Sequence, residues 1–289
     1  MGNREPFRLL WRSKGLARTV TGADKDFFMT THTPHESAAG WEEPAGLAAR
    51  GTVVVLPGRG EQPGLYERFG RRLAADAYRV RVLSDATRDV EAVSAQVKAL
   101  LARPDLRAPV VLVGSDSGGL LALRLVETNA VTADALVLAG LPDPRYEAAG
   151  VGTADEPEIR ASCPTHQKLL HDRNQLERGA LTTKRIPAAL REPALTGVTA
   201  PVLGLHGSND VISPIERVRA SYAALPDARL SIVEDGRHDV LNAAHHRSVA
   251  ATVVLFLERL RAGSGTIVSE QSLSTQVVGP DLQGGNDVR

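Results

Sequence analysis

The 289-residue chain contains one cysteine and two tryptophans, and aromatic residues make up only 4% of it. A lone Cys163 excludes an internal disulfide and carries no metal-ligand spacing, a pattern that suits a reducing cytoplasm. No unbroken apolar run is long enough to cross a bilayer. Residues 1–28 place Arg4, Arg8, Arg12, Lys14 and Arg18 among scattered apolar residues, without the continuous apolar stretch of an export signal. Charge of one sign is also missing: 34 Lys and Arg balance 34 Asp and Glu. No basic stripe interleaved with aromatics occurs, so neither nucleic acid nor an anionic membrane is an expected partner. The histidine pairs His32/His35 and His245/His246 form no set with carboxylates at ligand spacing, so no metal is expected, and no cofactor motif stands out. What remains is work on a small-molecule substrate.

What is present is 43% hydrophobic and 24% charged sequence, enough for one large core. Short apolar runs alternate with helical patterns, which predicts an α/β architecture with a parallel sheet covered on both faces. Strands are expected at 52–56, 79–83, 110–113, 135–139, 202–205 and 230–233. Helices are expected near 65–77, 89–102, 119–128, 214–224 and 243–261. Ser213, Pro214 and Glu216 have the spacing of a capping box with proline in the first turn. Between about 142 and 199 the alternation breaks into charged, proline-containing sequence, which reads as an inserted lid. The expected organisation is therefore an extension at 1–28, a domain at 29–261 and, from its Gly, Ser, Thr and Gln content, a disordered tail at 262–289. The richness in Ala, Arg, Gly, Leu and Val fits a bacterium of high GC content.

The stretch Val111-Leu-Val-Gly-Ser-Asp-Ser-Gly-Gly119 has the outline of a nucleophile elbow, a sharp turn from a buried strand into a helix. Such a turn needs very small residues two places either side of its apex. Gly114 and Gly118 meet that need around Asp116, which predicts Asp116 exposed at the strand's C-terminal edge. A slipped frame with Ser117 at the apex, flanked by Ser115 and Gly119, is also sterically open. A third reading of Asp116 is a helix N-cap without chemistry.

Together with His206-Gly-Ser-Asn-Asp210 after the next-to-last strand and Gly236-Arg-His238 after the last, the elbow makes residues 50–260 resemble the α/β-hydrolase fold. The resemblance implies Asp116 as nucleophile, Asp210 as orienting acid and His238 as base, with Asp143 as a second candidate acid. In the loop Leu56-Pro-Gly-Arg-Gly-Glu61, Gly58 lets the backbone approach the site, and the N–H groups of Arg59 and Ser117 are candidate oxyanion donors. The Arg59 guanidinium is also placed to meet an anionic substrate group.

An aspartate at the apex is similar to epoxide hydrolases and haloalkane dehalogenases. That resemblance implies a covalent alkyl ester on Asp116, hydrolysed by water that His238 activates. Ser117 stands beside Asp116 where those families often have tryptophan, and Tyr146 is the only tyrosine of the lid region. His166, His171, Lys168 and Tyr66 are further candidate proton sources. Alternatives are a Ser117-dependent carboxylesterase or thioesterase, and a non-hydrolytic lyase, cyclase or binding protein on the same scaffold.

Overall fold

The computed structural model describes residues 39–143, 145, 156–172, 174–263 and 265–269, which fall within one compact unit, Thr33–Arg289. The expected extension at 1–28, Tyr146 and most of the expected tail lie outside the described residues. In chain order the elements are β1 (Ala39–Trp41), β2 (Gly51–Leu56), α1 (Glu67–Ala75), β3 (Tyr78–Val82), α2 (Val90–Leu101), β4 (Val110–Ser115), α3 (Ser117–Glu127) and β5 (Ala135–Ala139). There follow α4 (Glu156–Arg160), α5 (Pro164–Leu170), α6 (Ala180–Thr183), β6 (Val202–Gly207), α7 (Ile215–Ala223), β7 (Ala228–Val233) and α8 (His246–Ala262).

The seven strands form one sheet in the order β1-β3-β2-β4-β5-β6-β7, parallel except for β1, which pairs antiparallel with β3. This is the α/β-hydrolase fold. Side-chain alternation on β2 explains why the sheet is apolar on both faces. Val53 and Val55 enter one core with Leu73, Val253 and Leu257, whereas Val54 and Leu56 enter the other with Val97, Leu121 and Val218. Every residue of β2, β5 and β6 is buried. Among the described residues no helix is long and apolar enough to cross a membrane.

Six expected strands match β2 to β7 to within three residues at each end. β1 was not expected, because three half-buried residues carry too little alternation to be read. Its Trp41 ring packs so closely on Gly70 of α1 that a Cβ there would lie 2.1 Å from it. The capping box at Ser213 does not form. Pro214 occupies the cap position of α7, and the Ser213 hydroxyl instead donates to the Leu141 carbonyl at 2.8 Å. Its backbone N–H is turned to Asp210, so the loop's polar groups fix the acid rather than the helix.

The described residues between β5 and β6 hold only short helices, α4 to α6, and two single-turn 3-10 stretches. It is zipped to the loop after β2 by backbone bonds. Gln62 N–H donates to Gln175 O at 2.9 Å and Glu177 N–H to Gly60 O at 2.8 Å, with a bridge between Glu61 and Leu176. Gly60 adopts a φ of +75°, and a Cβ there would lie 2.5 Å from Ala180 Cβ, so the close contact with the covering segment depends on glycine.

Candidate active site

Asp116 is the apex of the strand-to-helix turn between β4 and α3. Its φ of 45° and ψ of −120° are a strained conformation for a residue with a side chain. Two glycines make the turn possible. A Cβ on Gly114 would lie 2.4 Å from Gly119 Cα, and one on Gly118 would lie 2.1 Å from the Leu56 carbonyl oxygen. Gly119 would meet nothing nearer than a Leu141 methyl at 3.2 Å. The crowded pair therefore flanks Asp116. Ser117 begins α3, with its Oγ buried and without a hydrogen-bond partner. The Asp116 side chain makes no capping bond to α3.

Asp116 was expected to be exposed, but it is fully buried. Arg59 covers it, donating from Nε to Oδ2 at 2.8 Å and from Nη2 to Oδ1 at 2.9 Å. The Arg59 backbone N–H also donates to Oδ2, at 3.0 Å. The remaining Arg59 nitrogen, Nη1, donates to the carbonyls of Leu181 and Lys184 in the covering segment. Gly58 does not face the carboxylate with its N–H, which is directed to Glu61 Oε2 at 2.9 Å and Tyr66 OH at 3.3 Å. Its contribution is clearance, since a Cβ at 58 would lie 3.0 Å from Asp116 Cβ.

His238 follows β7 and pairs through Nδ1 with Asp210 Oδ2 at 2.8 Å, while its Nε2 lies 3.3 Å from Asp116 Oδ1. Gly140, with a φ of +55°, lets the end of β5 pass beneath, because a Cβ there would lie 2.4 Å from the His238 carbonyl oxygen. Asp210 is itself held by N–H groups of Ile212 and Ser213, both 2.9 Å from Oδ1. Buried His206 lies 3.3 Å from Asp210 Oδ2 and bonds the Ser213 carbonyl at 2.6 Å through the same Nε2. The second candidate acid, Asp143, is engaged instead by the backbone N–H and guanidinium of Arg145.

The charges set the protonation states. Burial pushes the Asp116 carboxyl up, but the Arg59 charge, with hydrogen bonds from His238 and Arg59, outweighs it and holds the group well below the usual carboxylate range. Burial pushes the His238 ring down, but the Asp210 charge and the contact with Asp116 reverse this and raise it to about 10. The resting site is thus a carboxylate and an imidazolium, braced by Arg59 and Asp210.

Sequence spacing gave no sign of a second buried cluster beneath the site. Arg160 of α4, with no exposed surface, donates to Glu156 Oε1 at 3.0 Å and Glu61 Oε1 at 2.9 Å, and lies 3.5 Å from Asp239 Oδ1. It also donates to the Arg59 carbonyl at 2.6 Å, and its own carbonyl accepts from the Asp239 N–H at 2.7 Å. Glu156 accepts from the N–H groups of Gly179 and Leu181 at the start of α6. These bonds join the covering segment, the Arg59 loop and the His238 loop. Burial pushes Glu61 up to about 8, with the Asp239 charge adding to it against Arg160.

Of the further proton sources, Tyr66 is buried and donates to Glu61, and His166 is buried 3.8 Å from Asp239. His171 and Lys168 lie on the exposed side of the covering segment. Among the described residues no group of three or more His, Cys, Asp or Glu is placed to hold a metal ion.

A family model described as alpha/beta hydrolase family matches residues 22–252. No curated protein matches the chain in sequence. The fold is shared with a monoacylglycerol lipase of Paleococcus ferrophilus, at 17% identity over 77% of this chain and 98% of that one, with a TM-score of 0.63. It is also shared with a bromoperoxidase of Bacillus anthracis, at 18% identity over 76% and 94% of the two chains, TM-score 0.59. A soluble variant of the Saccharomyces cerevisiae monoglyceride lipase aligns at 14% identity over 76% and 90%, TM-score 0.63.

Proposed function

Because the chain belongs to the alpha/beta hydrolase family, we propose that it is a hydrolase whose nucleophile is the Asp116 carboxylate, acting on an epoxide or a related small electrophile through a covalent alkyl ester. The observation that carries this reading is the position of Asp116 at the strained apex, with His238 Nε2 3.3 Å from its Oδ1. A carboxylate needs no base to activate it, which suits a resting histidine that already holds its proton. Attack on an ester would give an unstable anhydride, whereas attack on saturated carbon gives a stable ester.

The protons balance around one cycle. Asp116 Oδ1 bonds to the ring carbon, the carbon–oxygen bond of the epoxide breaks, and its electron pair goes to the ring oxygen, which takes the proton of the His238 imidazolium. This role for His238 removes the need for a lid tyrosine. Esterification also cancels the Asp116 charge, so the neutral ring loses part of what had raised its pKa. His238, oriented by Asp210, then takes a proton from water as that water attacks the Asp116 carboxyl carbon. The Arg59 backbone N–H, 3.0 Å from Oδ2, is aimed at the oxygen where negative charge develops. On collapse the alkoxide leaves with the proton of the hydroxyl that water added to the carboxyl carbon, which releases the diol and restores carboxylate and imidazolium.

The pH dependence of kcat/KM over a panel of epoxides, haloalkanes and activated esters tests this reading. To open an epoxide the free enzyme needs ionised Asp116 and protonated His238. The rate is therefore expected to be flat through neutral pH and to fall as pH rises through about 10, where His238 loses its proton. A serine nucleophile needs the neutral ring, so a rate that climbs as pH approaches that value would contradict the aspartate reading. The second reading, an esterase using Ser117, is favoured by one observation, the buried Ser117 Oγ without a partner.

A further inference from the structure

The buried site carries two carboxylates, Asp116 and Asp210, against two cations, Arg59 and His238. Arg160 lies close by but is surrounded by its own acids, Glu61, Glu156 and Asp239. Asp116 is fully enclosed, and the side chains on its two oxygens are those of Arg59 and His238. A substrate reaching Oδ1 must displace the Arg59 fork, which then loses the one carboxylate it pairs with among the described residues. Esterification makes that loss complete, because the Asp116 ester carries no charge. A buried guanidinium left without a counter-ion is strongly unfavourable, so the reaction needs an anion to take over the fork.

We propose that the substrate supplies it: a small molecule bearing a carboxylate beside its electrophilic carbon, bound by the Arg59 guanidinium in place of Asp116. The proposal rests on Asp116 as nucleophile for its chemistry, though not for its binding step. The fork fits this ligand, since it already holds a carboxylate with Nε and Nη2 at 2.8 and 2.9 Å, the parallel geometry that a second carboxylate would copy. Side chain and backbone of Arg59 are separable. The backbone is fixed by Arg160, which accepts no part of the load on the guanidinium but bonds the Arg59 carbonyl at 2.6 Å. Its N–H can stay on Asp116 Oδ2 while the guanidinium turns to the ligand. Nη1 remains anchored by the carbonyls of Leu181 and Lys184, which ties occupancy of the fork to the covering segment. A wholly uncharged substrate would leave Arg59 unpaired throughout the covalent stage.

Calorimetric titration of the full-length protein with propanoate, propanamide and chloride tests the binding step without turnover. Asp116→Asn frees the fork of its internal anion, so propanoate is expected to bind that variant at least about tenfold more tightly than wild type. Adding Arg59→Met should abolish the gain, and propanamide should bind neither protein. Equal propanoate affinity in wild type and Asp116→Asn, retention of binding in the double variant, or chloride binding as tight as propanoate would each overturn the proposal. Because Asp116→Asn unpairs buried groups and can impair folding, a second measurement uses wild type alone. An epoxide bearing a carboxylate should exceed its carboxamide counterpart at least about tenfold in kcat/KM, and equal values would overturn the proposal. The two readings fail separately: tight propanoate binding without an adduct on Asp116 removes the nucleophile and keeps the anion site, whereas an adduct formed equally from both epoxides does the reverse.

Discussion

Changing Asp116 to asparagine is expected to lower turnover by at least about 10⁴-fold, the scale seen when a covalent nucleophile is removed. The side chains are nearly the same shape, so the strained turn at φ 45° is conserved while the chemistry is not. A neutral amide is a poor nucleophile and forms no alkyl ester. The change also takes away one of the two carboxylates that keep His238 protonated, and it leaves Arg59 without its ion-pair partner. The same substitution discriminates against Ser117 chemistry. An esterase built on Ser117 would keep much of its activity in Asp116→Asn and would be silenced by organophosphonates. Loss of activity by less than about tenfold, measured as kcat/KM on the best substrate of the panel, would contradict the aspartate mechanism.

Arg160→Met is expected to destabilise the fold by about 3–5 kcal/mol, the usual cost of breaking a buried ion pair by deleting one partner. Arg160 has no exposed surface and faces three buried carboxylates, so methionine fills much of the space but leaves Glu61, Glu156 and Asp239 without a cation. In the variant burial and the Asp239 charge, no longer opposed by Arg160, would hold the Glu61 carboxyl still further above its unfolded pKa. Its cost is therefore small in acid, where both states are protonated, and grows as pH rises past the ordinary carboxylate value. Glu61 already lies near 8 with Arg160 present. Urea unfolding at two pH values checks both statements. A loss below about 1 kcal/mol at neutral pH would mean that the cluster contributes little.

Local sequence was enough wherever one element carries its own signal. Val53 to Leu56 and Ala135 to Ala139 are short apolar runs bounded by turns, and they form the central strands. The helix expected near 89–102 is α2, and Asp89 caps it, accepting from the Ala92 N–H at 2.9 Å. Gly114 and Gly118 mark the turn because their small size is required by backbone contacts that any chain folding this way must make. The pairing of Asp210 with His238 was implied by the resemblance and not by local pattern, and the two loops, each following a strand at one end of the sheet, bring the side chains to 2.8 Å.

Features that depend on distant segments were not legible. Asp116 is covered because Arg59, 57 positions earlier, lays its guanidinium on the carboxylate and anchors it to Leu181 and Lys184. Nothing in the Pro-Gly-Arg-Gly loop separates that conformation from one turned to solvent. Arg160 and its three acids come from three separate places, α4, the loop after β2 and the loop after β7, and no local pattern in the sequence joins them. The Ser213 capping box did not form because Ser213 lies one residue ahead of the cap position held by Pro214, with its hydroxyl turned to the Leu141 carbonyl, 72 positions away in sequence.

Peptide mass spectrometry of the wild-type protein after a single turnover of its best substrate in water carrying heavy oxygen tests the central claim most directly. Water attacks the carboxyl carbon of the ester, so the heavy oxygen should enter the Asp116 carboxylate while the first product keeps the oxygen that Asp116 supplied. Heavy oxygen on the peptide containing Asp116, assigned to that residue, is the result expected. Heavy oxygen in the product with none on Asp116 would contradict it, and so would a covalent adduct on Ser117.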